Sequence, residues 1–210
     1  DLIQKERSWR RKELTNTKAL VHNSRDAFSH TVIRAAILLL YSHWEGYIKK
    51  TTQFFFFYLN SKGMKYSELT NNLKALGIYS QFEGQFPYNK FDSYLKVTNF
   101  VIYDCLQQSF NLDVTKHVDT RSNLNSEVLQ ELVTKVGIDN SFVEENKFHI
   151  DSRLLKYRNA IAHGERTDNN PDFNISKQDF YDLYDRVNIC TDHFETLLLN
   201  HIEMETYKAS

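Results

Sequence analysis

The sequence predicts an all-α fold, and three observations predict it. Only 6 Gly and 2 Pro occur in 210 residues, too few for the many tight turns of a β-sandwich or barrel. Between Ala27 and Asn60 there is no Pro and a single Gly, Gly46. Over the same stretch Ile33, Ile37, Leu40, Trp44, Ile48, Phe55 and Leu59 recur at three- and four-residue steps, apart from one gap after Ile48. That is one face of a long helix. The remaining apolar segments are bounded by helix caps and stops. With 41% hydrophobic and 25% charged residues, the chain has a globular composition, and its length suits one helical domain over residues 1–210.

Each element follows in order. Residues 3–22 are charged and helix-favouring, with Trp9, Leu14 and Val21 as spaced apolar positions. With residues 27–60 they make a long N-terminal helical hairpin. Phe54–Phe57 renders the second helix apolar all round near its end, a turn expected to be buried on every side by the core or by a second subunit. Asn60-Ser61-Lys62-Gly63 ends it. Residues 67–76 read as a short helix stopped by Gly77, residues 80–90 as a loop holding Gly84 and Pro87, and residues 91–109 as a further helix. The polar stretch 111–125 reads as irregular, and residues 126–136 as a helix closed by Gly137. Residues 139–150 carry no clear signal. Asp151 is placed to cap a helix from Ser152 to Ala162 that Gly164 stops. After a loop at 165–175, Ser176 and Asp179 form a capping box with a shorter acid and open a long C-terminal helix to Glu203.

Several function classes lack support. Cys105 and Cys190 lie in apolar, helix-like stretches without CxxC pairing, which disfavours a disulfide framework or a Cys-type zinc site and makes a reducing cytosol the default. Residues 1–20 are polar and hold no apolar signal region. The most apolar stretch, 33–59, contains His43, Glu45, Lys49, Lys50 and Gln53, which are costly in a bilayer, so no membrane partner is expected. No GxxxxGK[ST], GxSxG or GxGxxG occurs, nor an HxxxH or HExxH spacing. P-loop, serine-hydrolase, dinucleotide and metal chemistry therefore find no motif, and neither a metal nor a cofactor is expected.

One segment carries chemistry: Leu154-Leu155-Lys156-Tyr157-Arg158-Asn159-Ala160-Ile161-Ala162-His163-Gly164-Glu165. It sets an Arg and a His five apart at a helix end. Spacing alone is weak, since this composition yields about 0.4 such pairs by chance, and Arg25 and His30 repeat it. Context separates the two. Arg158–His163 has Asn159 one turn before the His, small Ala160 and Ala162 between, and a helix stop directly after. In that context the segment resembles the R-x4-6-H motif of the HEPN superfamily, small helical domains often found as metal-independent ribonucleases. The earlier Leu40-Tyr41-Ser42-His43-Trp44-Glu45-Gly46-Tyr47-Ile48-Lys49 resembles the first long helix of the MAE-like HEPN nucleases, a branch linked to toxin–antitoxin and defence loci. Asn123-Leu124-Asn125-Ser126-Glu127-Val128-Leu129 also fits that branch. The resemblance spans about residues 5 to 200, with residues 60–120 matched by nothing specific.

The resemblance implies cleavage of RNA by its own 2′-OH to a 2′,3′-cyclic phosphate and a 5′-OH, in a homodimer. His163 moves the proton, Arg158 steadies the charge on phosphate, and Asn159 orients the phosphate or His163. Glu45 and Lys156 are supporting candidates. Implied partners are RNA, a second copy of the chain, and an antitoxin or defence-system protein, in the cytoplasm. The chemistry is apt: His163 at a helix C-terminus sits where the macrodipole favours positive charge, and a guanidinium grips phosphate through paired N–H donors. Arg158 and His163 lie about 140° apart around one helix, so two copies meeting at a twofold axis suit a shared cleft. Competing structural roles are an Arg158–Glu45 ion pair, an ordinary C-cap at His163, a solvated Lys156 and a purely structural His43. The alternative function is a non-catalytic HEPN-type module that binds RNA or protein.

The formal net charge of −1 argues against tight nonspecific binding to a polyanion but hides an uneven distribution. Residues 1–50 hold 10 basic and 5 acidic side chains, residues 147–166 hold 5 against 2, and residues 176–210 hold 3 against 7. Phosphate attraction follows the local patch more than the total.

Overall fold

In a computed structural model, residues 2–83, 90–166 and 175–209 are described; the loops read at 80–90 and 165–175 fall largely outside them. Among the described residues there is no strand, and the chain is all-α. Nine α-helices follow in order among the described residues: α1 Leu2–Asn23, α2 Asp26–Lys62, α3 Asn71–Phe82, α4 Phe91–Asn99, α5 Val114–His117, α6 Ser126–Val136, α7 Ser141–Lys147, α8 Lys156–Ala162 and α9 Lys177–Glu203. No helix among these residues is long and apolar enough to cross a membrane.

The chain forms two compact units. The first comprises Asp1–Thr51, Thr120–Gln130 and Asn140–Glu195. Here α1 and the first part of α2 make the expected hairpin. Trp9 packs edge-on against His43 at 5.1 Å, and Arg10 lies 3.3 Å from the His43 Nδ1. Antiparallel α9 is tied to α1 by Arg7–Asp192 and by Lys18–Asp185 at 3.1 Å. The α2 face predicted from the periodicity is the core: Ile33, Ile37, Leu40, Trp44 and Ile48 are buried, with Leu124, Phe142, Leu154, Phe180 and Phe194. The capping box that opens α9 is present, with Ser176 N–H donating to Asp179 at 2.9 Å and Asp179 N–H donating to the Ser176 hydroxyl at 3.1 Å.

The second unit comprises Thr52–Asp119, Glu131–Asp139 and Thr196–Ser210. Its core is aromatic: Phe55, Phe56, Tyr66, Phe110 and Tyr207 are buried, with Tyr66 against Phe110 at 5.4 Å and Phe55 against Phe56 at 5.2 Å. The Phe run is not enclosed within the chain on every side, because Phe57 is 49% exposed.

Three local expectations change. Gly77 does not end a helix but lies inside α3, where its missing Cβ makes room for the Tyr66 ring. Residues 91–109 do not stay α-helical. They widen to a π-turn at Phe100–Asp104 and tighten to a 3₁₀ turn at Cys105–Gln107. No new helix starts at Ser152. Helix continues from α7 through a π-helical stretch, Phe148–Leu155, into α8. Asp151 caps α6 instead, accepting from Ser126 N–H at 2.8 Å and from the Ser126 hydroxyl.

Candidate active site

The residues that resemble a catalytic motif all sit on or just past α8, in the first unit. The end of α8 is built by local hydrogen bonds. Gly164 N–H bonds the Ile161 carbonyl at 3.1 Å and Glu165 N–H bonds the Ala160 carbonyl at 2.9 Å. This crossed pair is a Schellman cap, and it needs a left-handed residue at Gly164, whose φ is +74°. His163 is the C-cap, its N–H bonded to the Asn159 carbonyl at 2.9 Å. The ordinary capping role is therefore real, and it turns the imidazole outward: His163 is exposed and its ring has no hydrogen-bond partner among the described residues. From α2, Arg34 Nη1 donates to the Glu165 carbonyl at 2.8 Å and pins the chain just beyond the cap.

Arg158 is half-buried and held on three sides. Its Nη1 donates to Asn159 Oδ1 at 2.8 Å and its Nη2 to the Ser122 carbonyl at 3.0 Å, while Cζ sits 4.5 Å from the Tyr41 ring centroid. The Ser122 carbonyl is presented by a tight turn, Thr120–Asn123, closed by Asn123 N–H to the Thr120 carbonyl at 3.0 Å. Arg121 and Ser122, its central residues, both have positive φ, 53° and 55°, the pattern of a type I′ turn. Past the turn, Leu124 N–H donates to the Tyr41 hydroxyl at 2.7 Å and Asn125 Oδ1 caps α6 through Val128 N–H at 2.8 Å. The 123–129 segment singled out in the sequence thus ties α2 to the π-helical stretch that leads into α8, and the turn just before it reaches Arg158.

The supporting candidates separate. No ion pair joins Glu45 to Arg158 among the described residues, so the direct pair is not formed. The Glu45 carboxylate instead acts on the Tyr41 hydroxyl one turn earlier. Burial first, and then Glu45, push the Tyr41 phenol up to about 12, with the Leu124 N–H and Arg158 acting the other way. Lys156 is exposed at the start of α8 and precedes Asn159 and His163 by three and seven residues, on one helical stripe. Arg158 lies off that stripe, and Asn159 is bound to Arg158 rather than to His163. His43 is structural: it is buried between Trp9, Arg10 and Glu13, and burial holds its imidazole below the ordinary range. Among the described residues no three His, Cys, Asp or Glu side chains gather as a metal site.

Sequence reasoning missed Tyr41, Ser122 and Arg34. Only Tyr41 carried a signal, its four-residue step to Glu45 on α2. The contacts of Ser122 and Arg34 arise from residues 36 and 131 positions away.

An all-α chain with an Arg–Asn pair and a capping His at one helix end has the architecture of a HEPN domain. The RiboL-PSP-HEPN family model matches residues 5–200, and the chain belongs to that family, within the HEPN superfamily. The match runs through both compact units. The superfamily is the one the motif resembles; the branch named by the match is RiboL-PSP-HEPN, where the long-helix block resembles the MAE-like one. No curated protein and no solved structure matches the chain.

Proposed function

We propose that this chain is a metal-independent RNA endonuclease, a cytosolic toxin or defence effector that acts as a homodimer and is restrained by a partner protein. The observation that carries this reading is the combination of an exposed His163, whose ring has no hydrogen-bond partner among the described residues, with an Arg158 that is held in place yet not consumed. Among the described residues two of the five guanidinium N–H donors are used, which leaves three for a phosphate.

The reaction is an internal transesterification. The ribose 2′-oxygen attacks the adjacent phosphorus, its proton leaves to a base, the P–O5′ bond breaks, and the 5′-oxygen takes up a proton. His163 acts as the base or, in protonated form, as the acid. Arg158 stabilises the charge on the non-bridging oxygens. Asn159 holds Arg158. Lys156, on the His163 stripe, supplies further positive charge. DNA lacks the 2′-oxygen and is not cut. Because Arg158 lies off the stripe that carries Lys156, Asn159 and His163, a working pair takes Arg158 from one copy and His163 from the other.

The test is RNA cleavage by purified protein in EDTA, with the ends mapped. Cyclic-phosphate and 5′-OH ends are expected, and Arg158→Ala and His163→Ala should each abolish cutting while remaining folded. Mixing the two inactive variants should restore part of the activity, because a mixed dimer regains one cross-copy pair. Cutting that survives both substitutions overturns the site. RNA binding without cyclic-phosphate ends selects the non-catalytic module instead.

A further inference from the structure

The long-helix block around Tyr41 and Glu45 has no role in the reaction as written, yet it meets the motif helix at its most consequential side chain. We propose that Tyr41 is a positioning residue for Arg158, holding the guanidinium in one orientation between the α2 surface and the Thr120–Asn123 turn. This inference rests on the reading of Arg158 as the phosphate-binding residue.

Tyr41 is 2% exposed and sits in the core face of α2, so its ring is a fixed surface. The guanidinium lies over that ring at 4.5 Å, inside the range for a favourable cation–π contact. The ring is itself locked by its hydroxyl, which accepts the Leu124 N–H at 2.7 Å. Glu45 adds negative charge behind the phenol, and one of its carboxylate oxygens is buried without a hydrogen-bond partner.

The other two holds are set at different angles. Asn159 Oδ1 takes one Nη1 proton, and the Ser122 carbonyl takes one Nη2 proton. A flexible, exposed arginine would be found in many rotamers and would have to be ordered on each encounter with substrate. Here one face is covered by the ring and two N–H donors are anchored, so the guanidinium plane, and with it the remaining donors, is fixed in orientation before RNA arrives. Preorganised donors of this kind act in the transition state without further ordering, and a misplacement of about 1 Å can cost about 100-fold in rate.

The claim is tested in two arms on the full chain. The first is spectroscopic and needs no activity. With arginine labelled in ¹⁵N, the Arg158 Nε–H resonance, assigned by its loss in Arg158→Ala, should lie upfield from the ring current of Tyr41. Tyr41→Leu should return it towards the free-arginine position, and Tyr41→Phe should leave it in place. An Arg158 resonance at the free-arginine position in the unsubstituted chain overturns the proposal even if the Leu variant does not fold. So does an unchanged resonance in folded Tyr41→Leu.

The second arm is kinetic. Tyr41→Leu should lower kcat for RNA cleavage by about 10- to 100-fold with KM changed less than about 3-fold, and Tyr41→Phe should recover most of the loss. Equal loss in both variants, or a loss confined to KM, counts against a positioning role. If the unsubstituted chain cuts no RNA, the nuclease reading falls, and the resonance arm still decides whether Tyr41 positions Arg158.

Discussion

Replacing Gly77 with alanine should destabilise the chain even though alanine is the better helix former. On helix propensity alone the exchange gains about 1 kcal/mol. The tertiary structure opposes it. A Cβ at position 77 would lie 2.2 Å from Tyr66 Cε1, 2.5 Å from Cζ and 2.6 Å from the hydroxyl oxygen. Carbon atoms rest at about 3.5–4.0 Å from one another, so the ring must retreat by more than about 1 Å. It has little room to do so: Tyr66 is buried, edge-on to Phe110 at 5.4 Å, and its N–H is bonded to the Gln108 carbonyl at 3.0 Å. Overpacking of a filled core costs about 1–3 kcal/mol, and contact with a rigid ring on three atoms places this site at the upper end. The net loss is then about 2 kcal/mol, or about 4–8 °C in Tm for a chain of this size. Urea unfolding followed by circular dichroism measures it, with an unchanged slope expected. Adding Tyr66→Leu, which removes the ring edge, should make the Gly77→Ala step less costly than in the parent chain. A Gly77→Ala variant as stable as the parent, or more so, would refute the reasoning.

Two further predictions concern stability, beside those for RNA cleavage and for Tyr41. Asp151→Ala removes two hydrogen bonds at the start of α6, those to the Ser126 N–H and hydroxyl. It should cost about 1–2 kcal/mol, and a thermal midpoint that does not move would show that Asn125 alone caps the helix. Acid should also weaken the fold early. Burial holds the imidazoles of His43, His117, His149 and His201 below the ordinary range. The unfolded chain therefore binds more protons than the folded one as pH falls through about 6.5. Their contribution is full above that value and declines towards pH 5. Asp179 is shifted down despite its burial, by Ser176 and Arg153, and adds a further loss only below about pH 4. Urea midpoints measured from pH 8 to pH 5 should fall throughout the lower half of that range, and a flat profile would contradict the shared direction of these shifts.

The candidate site was partly legible. Arg158, Asn159, His163 and Gly164 stand within seven residues, and the cap that turns His163 outward is made from backbone groups no more than five residues apart. Short-range bonding of that kind is written in local sequence. The same holds for Ser176 and Asp179, three residues apart, and for the periodic α2 face from Ile33 to Ile48. Glu45 was singled out as a supporting residue with a direct ion pair to Arg158 as a competing role; it acts on Tyr41, whose ring lies against Arg158. The sequence offered no means of choosing between a carboxylate and a phenol four residues apart on one helical face.

What the sequence by itself determined is the class of the chain and the identity of its motif: helices from periodicity, helix ends from caps, and a likeness to HEPN domains from a dozen contiguous residues. The tertiary structure alone decided what each of those residues touches. Gly77 looked like a stop and proved to be a space for a ring eleven positions away. Asp151 looked like the cap of its own helix and caps another, 25 positions earlier. Arg158 is held by Ser122 and Tyr41, 36 and 117 positions distant. The physical reason is common to all three. Helix propensity and capping are settled by bonds that close within about one turn, whereas the partner of a glycine's empty Cβ, a carboxylate or a guanidinium is chosen only when remote segments pack together.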